Sequence, residues 1–168
     1  MTKSDTDALD GRGAEAAPTT RPNGPSLKAR ALRYLAMREH SRAELIAKLS
    51  AHADSPAALA QALDELAAKG LQSDERTASA VARVGAGRYG NARIKAKLQQ
   101  KGVHTAHIQS ALEALDETEF SRAKAVWSRK FGEPSDDPKE KARQMRFLVG
   151  RGFSQSVVYR VIRGAEDE

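Results

Sequence analysis

Cysteine is absent from the 168 residues, only eight residues are aromatic, and no apolar run is longer than five residues. Without cysteine, the chain has no disulfides, no thiolate metal ligands and no cysteine nucleophile. A helix needs about 20 consecutive apolar residues to span a membrane, so none is expected here. The first 25 residues also lack the apolar core of a signal peptide. We therefore expect a cytoplasmic protein with no membrane association.

Alanine is the most informative residue type that is present. Thirty of the 168 residues are alanine, the strongest helix former, and 30% of the chain is charged. Valine, isoleucine and threonine, which favour strands, are sparse until the last dozen residues. This composition predicts an all-α protein.

The apolar pattern repeats along the chain. Residues 41–66 align without a gap on residues 90–115, at an offset of 49, and a third copy follows at 146–162, at an offset of 50. Leu49, for example, corresponds to Leu98 and then to Leu148. Repeats of this size are too small for an independent core, so we expect them to stack. The register predicts three tandem three-helix repeats, each resembling a helix-turn-helix unit, in an elongated, curved array.

Composition and repeat register together divide the chain. Residues 1–25 contain one large aliphatic residue, Leu9, and are predicted to be a disordered N-terminal tail. Repeats 1, 2 and 3 are expected at residues 26–72, 73–117 and 118–168.

Several residues indicate where helices begin and end. Ser41, followed three residues later by Glu44, predicts a capping box, and Asp74 is a candidate cap for the first helix of repeat 2. Four glycines lie where helices should stop in a left-handed cap: Gly70, Gly102, Gly132 and Gly152. Residues 155–162 are rich in β-branched residues, but their register with repeat 2 favours a helix.

Basic charge is unevenly distributed. The net charge is +6, and residues 76–112 contain seven lysines or arginines and no acid. Arg93, Lys97 and Lys101 are spaced four apart and predict a cationic stripe on one helix face, which would attract a polyanion or an acidic protein surface. Solvated faces with local ion pairs are the alternative interpretation. The candidate binding residues are Arg88, Arg93, Lys95, Lys97, Lys101, Arg146 and Arg151.

No motif indicates catalysis, a metal or a cofactor. Gly85, Gly87 and Gly90 match the spacing of a dinucleotide-binding loop, but they join two predicted helices, where that loop needs a preceding strand. A flexible turn with Arg88 and Tyr89 exposed at its tip is the better interpretation. His104 and His107 lack further ligands nearby, so we expect His104 to cap a helix.

The single tryptophan, Trp127, lies in a helically spaced apolar run. This spacing predicts a core residue rather than a platform for stacking on single-stranded nucleic acid. Asparagine and glutamine are scarce on the candidate helices, so base-specific contacts are not indicated.

Several segments resemble the RecX family, the bacterial regulators of RecA. The resemblance is carried by YLAMREHSRAEL at 34–45, YGNARI at 89–94, LQQKGV at 98–103, KFGEP at 130–134 and RFLVGRGF at 146–153. It runs from Leu27 to Ile162 in order. The chain departs from the family at Thr77, where an aromatic residue is usual, and at Ala53, where glycine is common.

This resemblance implies three tandem three-helix repeats that bind in the groove of the filament RecA forms on single-stranded DNA. It further implies inhibition of RecA's ATPase, strand exchange and coprotease activities, which restrains DNA recombination, repair and the SOS response. The expected partners are RecA and this filament, with weak direct binding to DNA, and the protein is expected to act as a monomer without enzymatic activity. A helical nucleic-acid-binding module that acts mainly through DNA is the alternative.

Overall fold

The structure is a computed structural model that describes residues 24–164. Within that range the chain forms nine α-helices, one short 3-10 helix and no strand, which confirms the all-α prediction. The helices are α1 (Leu27–Met37), α2 (Arg42–Leu49), α3 (Pro56–Ala68), α4 (Asp74–Ala86), α5 (Asn91–Gln100), α6 (Thr105–Asp116), α7 (Glu119–Phe131), α8 (Pro138–Gly150) and α9 (Gln155–Ile162), and the 3-10 helix is Ser50–His52. Most of the predicted disordered tail, residues 1–23, lies outside the described residues, as do residues 165–168.

Three successive helices form one unit, so that α1–α3, α4–α6 and α7–α9 are units 1, 2 and 3. Each unit has its own hydrophobic core. Leu49, Leu98 and Leu148, the corresponding residues of the three repeats, are each fully buried in the core of their own unit. The predicted repeat architecture is therefore confirmed.

The helix ends follow most of the predicted signals. Ser41 and Glu44 form the capping box: the Ser41 hydroxyl accepts from the Glu44 N–H, and the Glu44 carboxylate accepts from the Ser41 N–H at 3.0 Å. The four predicted cap glycines have φ of 68°, 67°, 81° and 86°. The β-branched segment is helix α9, because its apolar side chains all face the core of unit 3.

The prediction that Asp74 caps α4 was wrong by one residue. Ser73 is the cap, and its hydroxyl accepts from the Arg76 N–H. Asp74 reaches into unit 1, where its carboxylate accepts from the Arg42 N–H at 2.8 Å. This residue therefore joins two units.

The second helices of the units meet end to end. The Ser41 hydroxyl, at the start of α2, donates to the carbonyl oxygen of Lys101, at the end of α5. The N–H groups of Gly90 and Ala92, at the start of α5, donate to the carbonyl oxygens of Arg151 (3.0 Å) and Gly152 (3.1 Å), at the end of α8. Carbonyl-rich helix ends thus face helix starts, an arrangement that the helix dipoles favour. The three units consequently follow one another in order, while the predicted curvature stays a prediction.

No helix within residues 24–164 has both the length and the apolar character that crossing a membrane requires.

Candidate binding surface

The seven candidate residues lie on or beside the second helices of units 2 and 3. Lys95 and Lys97 are exposed on α5, and Arg146 is exposed on α8. The remaining four lie at the ends of these helices, where units meet. The predicted stripe on α5 is therefore divided between an exposed middle and two ends that contact neighbouring units.

Arginines gather around Tyr89 at the contact between units 2 and 3. The guanidinium carbon of Arg93 lies 4.8 Å from the centroid of the Tyr89 ring, and that of Arg151 lies 5.7 Å from it. Arg151 also lies 5.0 Å from the centroid of the Phe147 ring. Such cation–π contacts fix the orientation of the guanidinium groups. Tyr89 is half-buried between them, which corrects the prediction that it is exposed at the tip of a turn.

Backbone carbonyls hold the same arginines across the unit contact. Arg93 Nη1 donates to the carbonyl oxygen of Gly150 at 3.1 Å, and Arg151 Nη1 donates to that of Arg88 at 3.5 Å. Within the described residues, none of these three arginines forms an ion pair. We call Arg88, Arg93 and Arg151 the junction arginines.

Lys101 serves the contact between units 1 and 2. Its Nζ lies 2.6 Å from Oε1 of Glu44, and both side chains are largely buried. Burial by itself would raise the pKa of Glu44, but hydrogen bonds from Arg38, Lys101 and the Ser41 N–H outweigh it and lower that pKa to about 2. Lys101 is thus neutralised by its partner, and its charge contributes little to an external surface.

A groove between α4 and α5 lies beside the junction arginines. Tyr89 and the buried Ile94 contribute to its lining, and the cations of Arg93 and Lys97 stand at its edge. The groove combines an aromatic ring and an apolar wall with positive charge, which suits an anionic chain with flat apolar groups.

Two residues of α7 that organise the contact between units 2 and 3 were missed in the sequence. The Glu119 carboxylate accepts from the N–H groups of Asn91 (3.2 Å) and Ser154 (3.4 Å) and from the Ser154 hydroxyl (3.0 Å). It thereby caps α5 and α9 together. The equivalence of Glu119 with Asp74, each in the first turn of its unit, is the signal that could have identified it.

Arg122 is the second missed residue. Its guanidinium donates to the carbonyl oxygens of Tyr89 (2.9 Å), Ala86 and Leu115 (both 3.3 Å), and to the side chain of Asn91 (2.6 Å). Burial lowers the pKa of Arg122, and the nearby carboxylates oppose this shift. The turn between α4 and α5 is therefore tied to unit 3 from below.

The motifs that resembled other functions are structural. Gly90 packs against the backbone of Gly152, so the glycine spacing reflects a close contact between units rather than a phosphate-binding loop. His104 caps α6, as predicted, by accepting from the Ala106 N–H at 3.3 Å. Trp127 is buried, as predicted, and donates to Gln144. No group of three or more potential metal ligands occurs among residues 24–164.

These features define a class: a tandem helical-repeat protein whose units are joined through the ends of their second helices and which presents unpaired cations on them. Models of the RecX family match residues 28–66, 73–112 and 117–162 as that family's first, second and third three-helix domains. The chain belongs to the RecX family.

Curated relatives agree over most of the chain. The regulatory protein RecX of Leptothrix cholodnii is 50% identical over 143 residues, which cover 85% of this chain and 91% of that protein. The regulatory protein RecX of Ralstonia nicotianae is 46% identical over 141 residues, covering 84% and 89%. These relatives are named as regulatory proteins, and the chain has a RecX-type regulatory role.

Solved structures share the fold. The crystal structure of RecX from Lactobacillus salivarius has a TM-score of 0.73 at 19% identity and covers 82% of this chain and 93% of that one. A second crystal structure of a regulatory protein RecX has a TM-score of 0.69 at 23% identity, covering 82% and 71%.

Proposed function

We propose that this protein binds RecA and the filament that RecA forms on single-stranded DNA. It inhibits RecA's ATPase, strand exchange and coprotease activities and so restrains recombination and the SOS response. It acts in the cytoplasm as a monomer, without catalysis of its own, and units 1 to 3, residues 26–72, 73–117 and 118–168, act together. Membership of the RecX family supports this proposal.

The end-to-end contact of α2, α5 and α8 is the observation that carries the proposal. Together these helices contain 31 residues, which correspond to a helical length of about 46 Å at 1.5 Å per residue. Exposed cations occur on each of the three helices, for example Lys48, Lys97 and Arg146. An array of this length suits a partner that repeats along an axis, such as a protein filament.

Binding of this kind depends on many weak contacts. An exposed ion pair contributes only about 0–1 kcal/mol, so no single cation can anchor the protein. Three joined units raise the effective concentration of each contact once the first has formed. We therefore expect separate units to inhibit far less than the intact chain.

The ATPase activity of RecA on single-stranded DNA tests the proposal. Sub-stoichiometric amounts of the protein are expected to inhibit hydrolysis, because one bound molecule affects several RecA protomers. Unchanged hydrolysis at an equimolar ratio would refute the proposal.

Charge reversal on the exposed part of α5 tests the location of the surface. Lys95→Glu combined with Lys97→Glu is expected to weaken inhibition, since both side chains are exposed and form no ion pair within the described residues. Lys124→Glu with Lys130→Glu, on the exposed face of α7, is the matched control. Lys101 and Arg93 are left unchanged because they also hold unit contacts. Equal inhibition by the two double variants would remove α5 from the surface.

A comparison of bare and RecA-coated DNA separates this proposal from action mainly through DNA. We expect much weaker binding to bare single strands at physiological salt. A module that acts through DNA would instead bind both equally, with an affinity that falls steeply as salt increases.

A further inference from the structure

We propose that the junction arginines form a binding site for consecutive phosphodiester groups of one DNA strand, and that an occupied site holds units 2 and 3 together. The inference rests on the proposed function, since it states what part of the surface contacts inside the nucleoprotein filament.

The first argument is the missing counter-charge. Arg93 and Arg151 both lie within 6 Å of the Tyr89 ring centroid, and Arg151 contacts the backbone of Arg88. Gathering like charges is unfavourable unless an anion compensates them. Glu119, an acid at the same contact, already accepts three hydrogen bonds at the starts of α5 and α9. The cluster therefore carries an uncompensated positive charge within the described part of the chain.

The second argument is preorganisation. The rings of Tyr89 and Phe147 and the carbonyl oxygen of Gly150 fix two of the guanidinium groups before any ligand arrives. A fixed guanidinium fork fits the oxygens of a phosphate group in a bidentate manner and loses little conformational entropy on binding.

The surroundings favour a nucleic-acid strand over an acidic protein segment. Lys97 follows Arg93 by one helical turn, about 6 Å along the axis, and continues the positive edge of the groove. A single strand presents phosphates at regular intervals and flat bases that can stack on an exposed ring edge or guanidinium plane. The groove provides both complements, a row of cations and the Tyr89 ring.

The site lies across two units, which couples binding to their contact. Arg93 belongs to α5 of unit 2, whereas Arg151 ends α8 of unit 3. A strand that binds both arginines links the units beyond their own hydrogen bonds. The amides of Gly90 and Ala92, which donate to carbonyl oxygens of unit 3, should then open less often.

Binding of a fluorescent oligothymidylate to the full chain, without RecA, is the primary test. The variant Arg93→Gln/Arg151→Gln is expected to bind about 100-fold more weakly, since each lost charge-assisted contact costs about tenfold. Its salt dependence should also fall by about 1.4 in logarithmic slope, at about 0.7 for each phosphate contact. Arg93→Lys/Arg151→Lys keeps the charge without the fork and should lie between the two.

The matched control is Arg83→Gln/Arg160→Gln. Arg83 is exposed at the end of α4, and Arg160 lies 4.2 Å from the centroid of the Phe120 ring, so the pair includes a stacked arginine outside the cluster. This variant is expected to bind within about twofold of the unchanged chain, because it keeps all the phosphate contacts. Equal loss in both double variants would overturn the proposal.

Two measurements on the unchanged chain avoid any effect of substitution on folding. An oligonucleotide that contains 5-iodouracil should crosslink to Tyr89, and saturation with oligothymidylate should slow hydrogen exchange at Gly90 and Ala92. Crosslinks confined to other units, or exchange that is unchanged at saturation, would contradict the site.

The outcomes distinguish this site from the proposed function. If Arg93→Gln/Arg151→Gln loses inhibition of the RecA ATPase but keeps its affinity for oligothymidylate, the cluster contacts protein and the phosphate site is wrong. If the unchanged chain binds oligothymidylate through Tyr89 without inhibiting RecA, the site stands and the proposed function is wrong.

Discussion

Gly90 and Gly152 lie against each other where α8 ends and α5 begins. A Cβ atom added to Gly90 would stand 2.2 Å from the carbonyl oxygen of Gly152, and one added to Gly152 would stand 2.6 Å from the backbone nitrogen of Arg93. The two backbones therefore touch directly, and the N–H of Gly90 reaches the carbonyl oxygen of Arg151 at 3.0 Å. Units 2 and 3 can meet in this way only because neither position carries a side chain.

Gly90→Ala is expected to destabilise the protein by about 2–3 kcal/mol, because the added methyl group clashes with backbone atoms that cannot rotate away. The hydrogen bonds from Gly90 and Ala92 to unit 3 should weaken at the same time. Urea unfolding followed by circular dichroism measures the loss.

Gly87→Ala is the control for this substitution. Gly87 has a φ of −73° and nothing within 4 Å of an added Cβ, so alanine fits there. Its stability is expected to stay within about 1 kcal/mol of the unchanged chain. If the two variants unfold at the same urea concentration, the close contact between Gly90 and Gly152 is wrong.

Acid should weaken the contact between units 1 and 2 through Glu44. Its folded pKa is about 2, against 4.5 without these contacts. Because the folded pKa is the lower one, the unfolded state takes up protons first as the pH falls. The stabilisation, on the order of 2–3 kcal/mol, is therefore complete above about pH 5 and is lost between pH 4.5 and pH 2.

Glu44→Gln tests this dependence. The variant should be less stable than the unchanged chain at pH 7, and the difference should shrink as the pH approaches 2. Glu65→Gln is the control, because the Glu65 pair with Lys28 is exposed and contributes little. A stability difference for Glu44→Gln that is constant from pH 7 to pH 2 would contradict the role of its charge.

The repeat register predicted the units, the caps and most of the buried residues, because burial and capping depend on local spacing. It also explains one departure from the family. Ala53 occupies the place of Gly102 and Gly152, but no unit packs on the end of α2, and its φ of −95° suits alanine. Glycine is needed at this place only where another unit approaches.

The contacts between units were harder to predict, since they join residues far apart in the chain. Lys101 matched a helical stripe with Arg93 and Lys97, but its partner Glu44 lies 57 residues away. Asp74 looked like a local cap although it serves another unit. The gathering of the junction arginines depends on the meeting of α5 and α8, which spacing within one helix does not specify.

Arg122 is expected to be essential for the turn between α4 and α5. Arg122→Met removes the donor to three carbonyl oxygens and to Asn91, and leaves part of them buried without a partner. We expect a loss of about 3 kcal/mol. Arg122→Lys should recover only a small part of it, because an ammonium group cannot reach all four acceptors. Thermal unfolding measures both variants.

Lys124→Met, on the exposed side of the same helix, provides the comparison. It should change stability by no more than about 0.5 kcal/mol, as is usual for surface substitutions. Equal stability of Arg122→Met and Lys124→Met would show that the bonds of Arg122 are dispensable.

Trp127 and Gln144 form a buried polar pair in unit 3, with the indole N–H donating to Oε1 of Gln144 at 2.9 Å. Gln144→Leu leaves that N–H without an acceptor, and we expect it to cost about 1–3 kcal/mol. Trp127→Phe removes the donor instead and leaves the amide unpaired. In the double variant both polar groups are gone, so its loss of stability should be smaller than the sum of the two single losses. Urea unfolding of all four proteins, followed by circular dichroism, measures this coupling; strictly additive losses would mean that the hydrogen bond contributes nothing to stability.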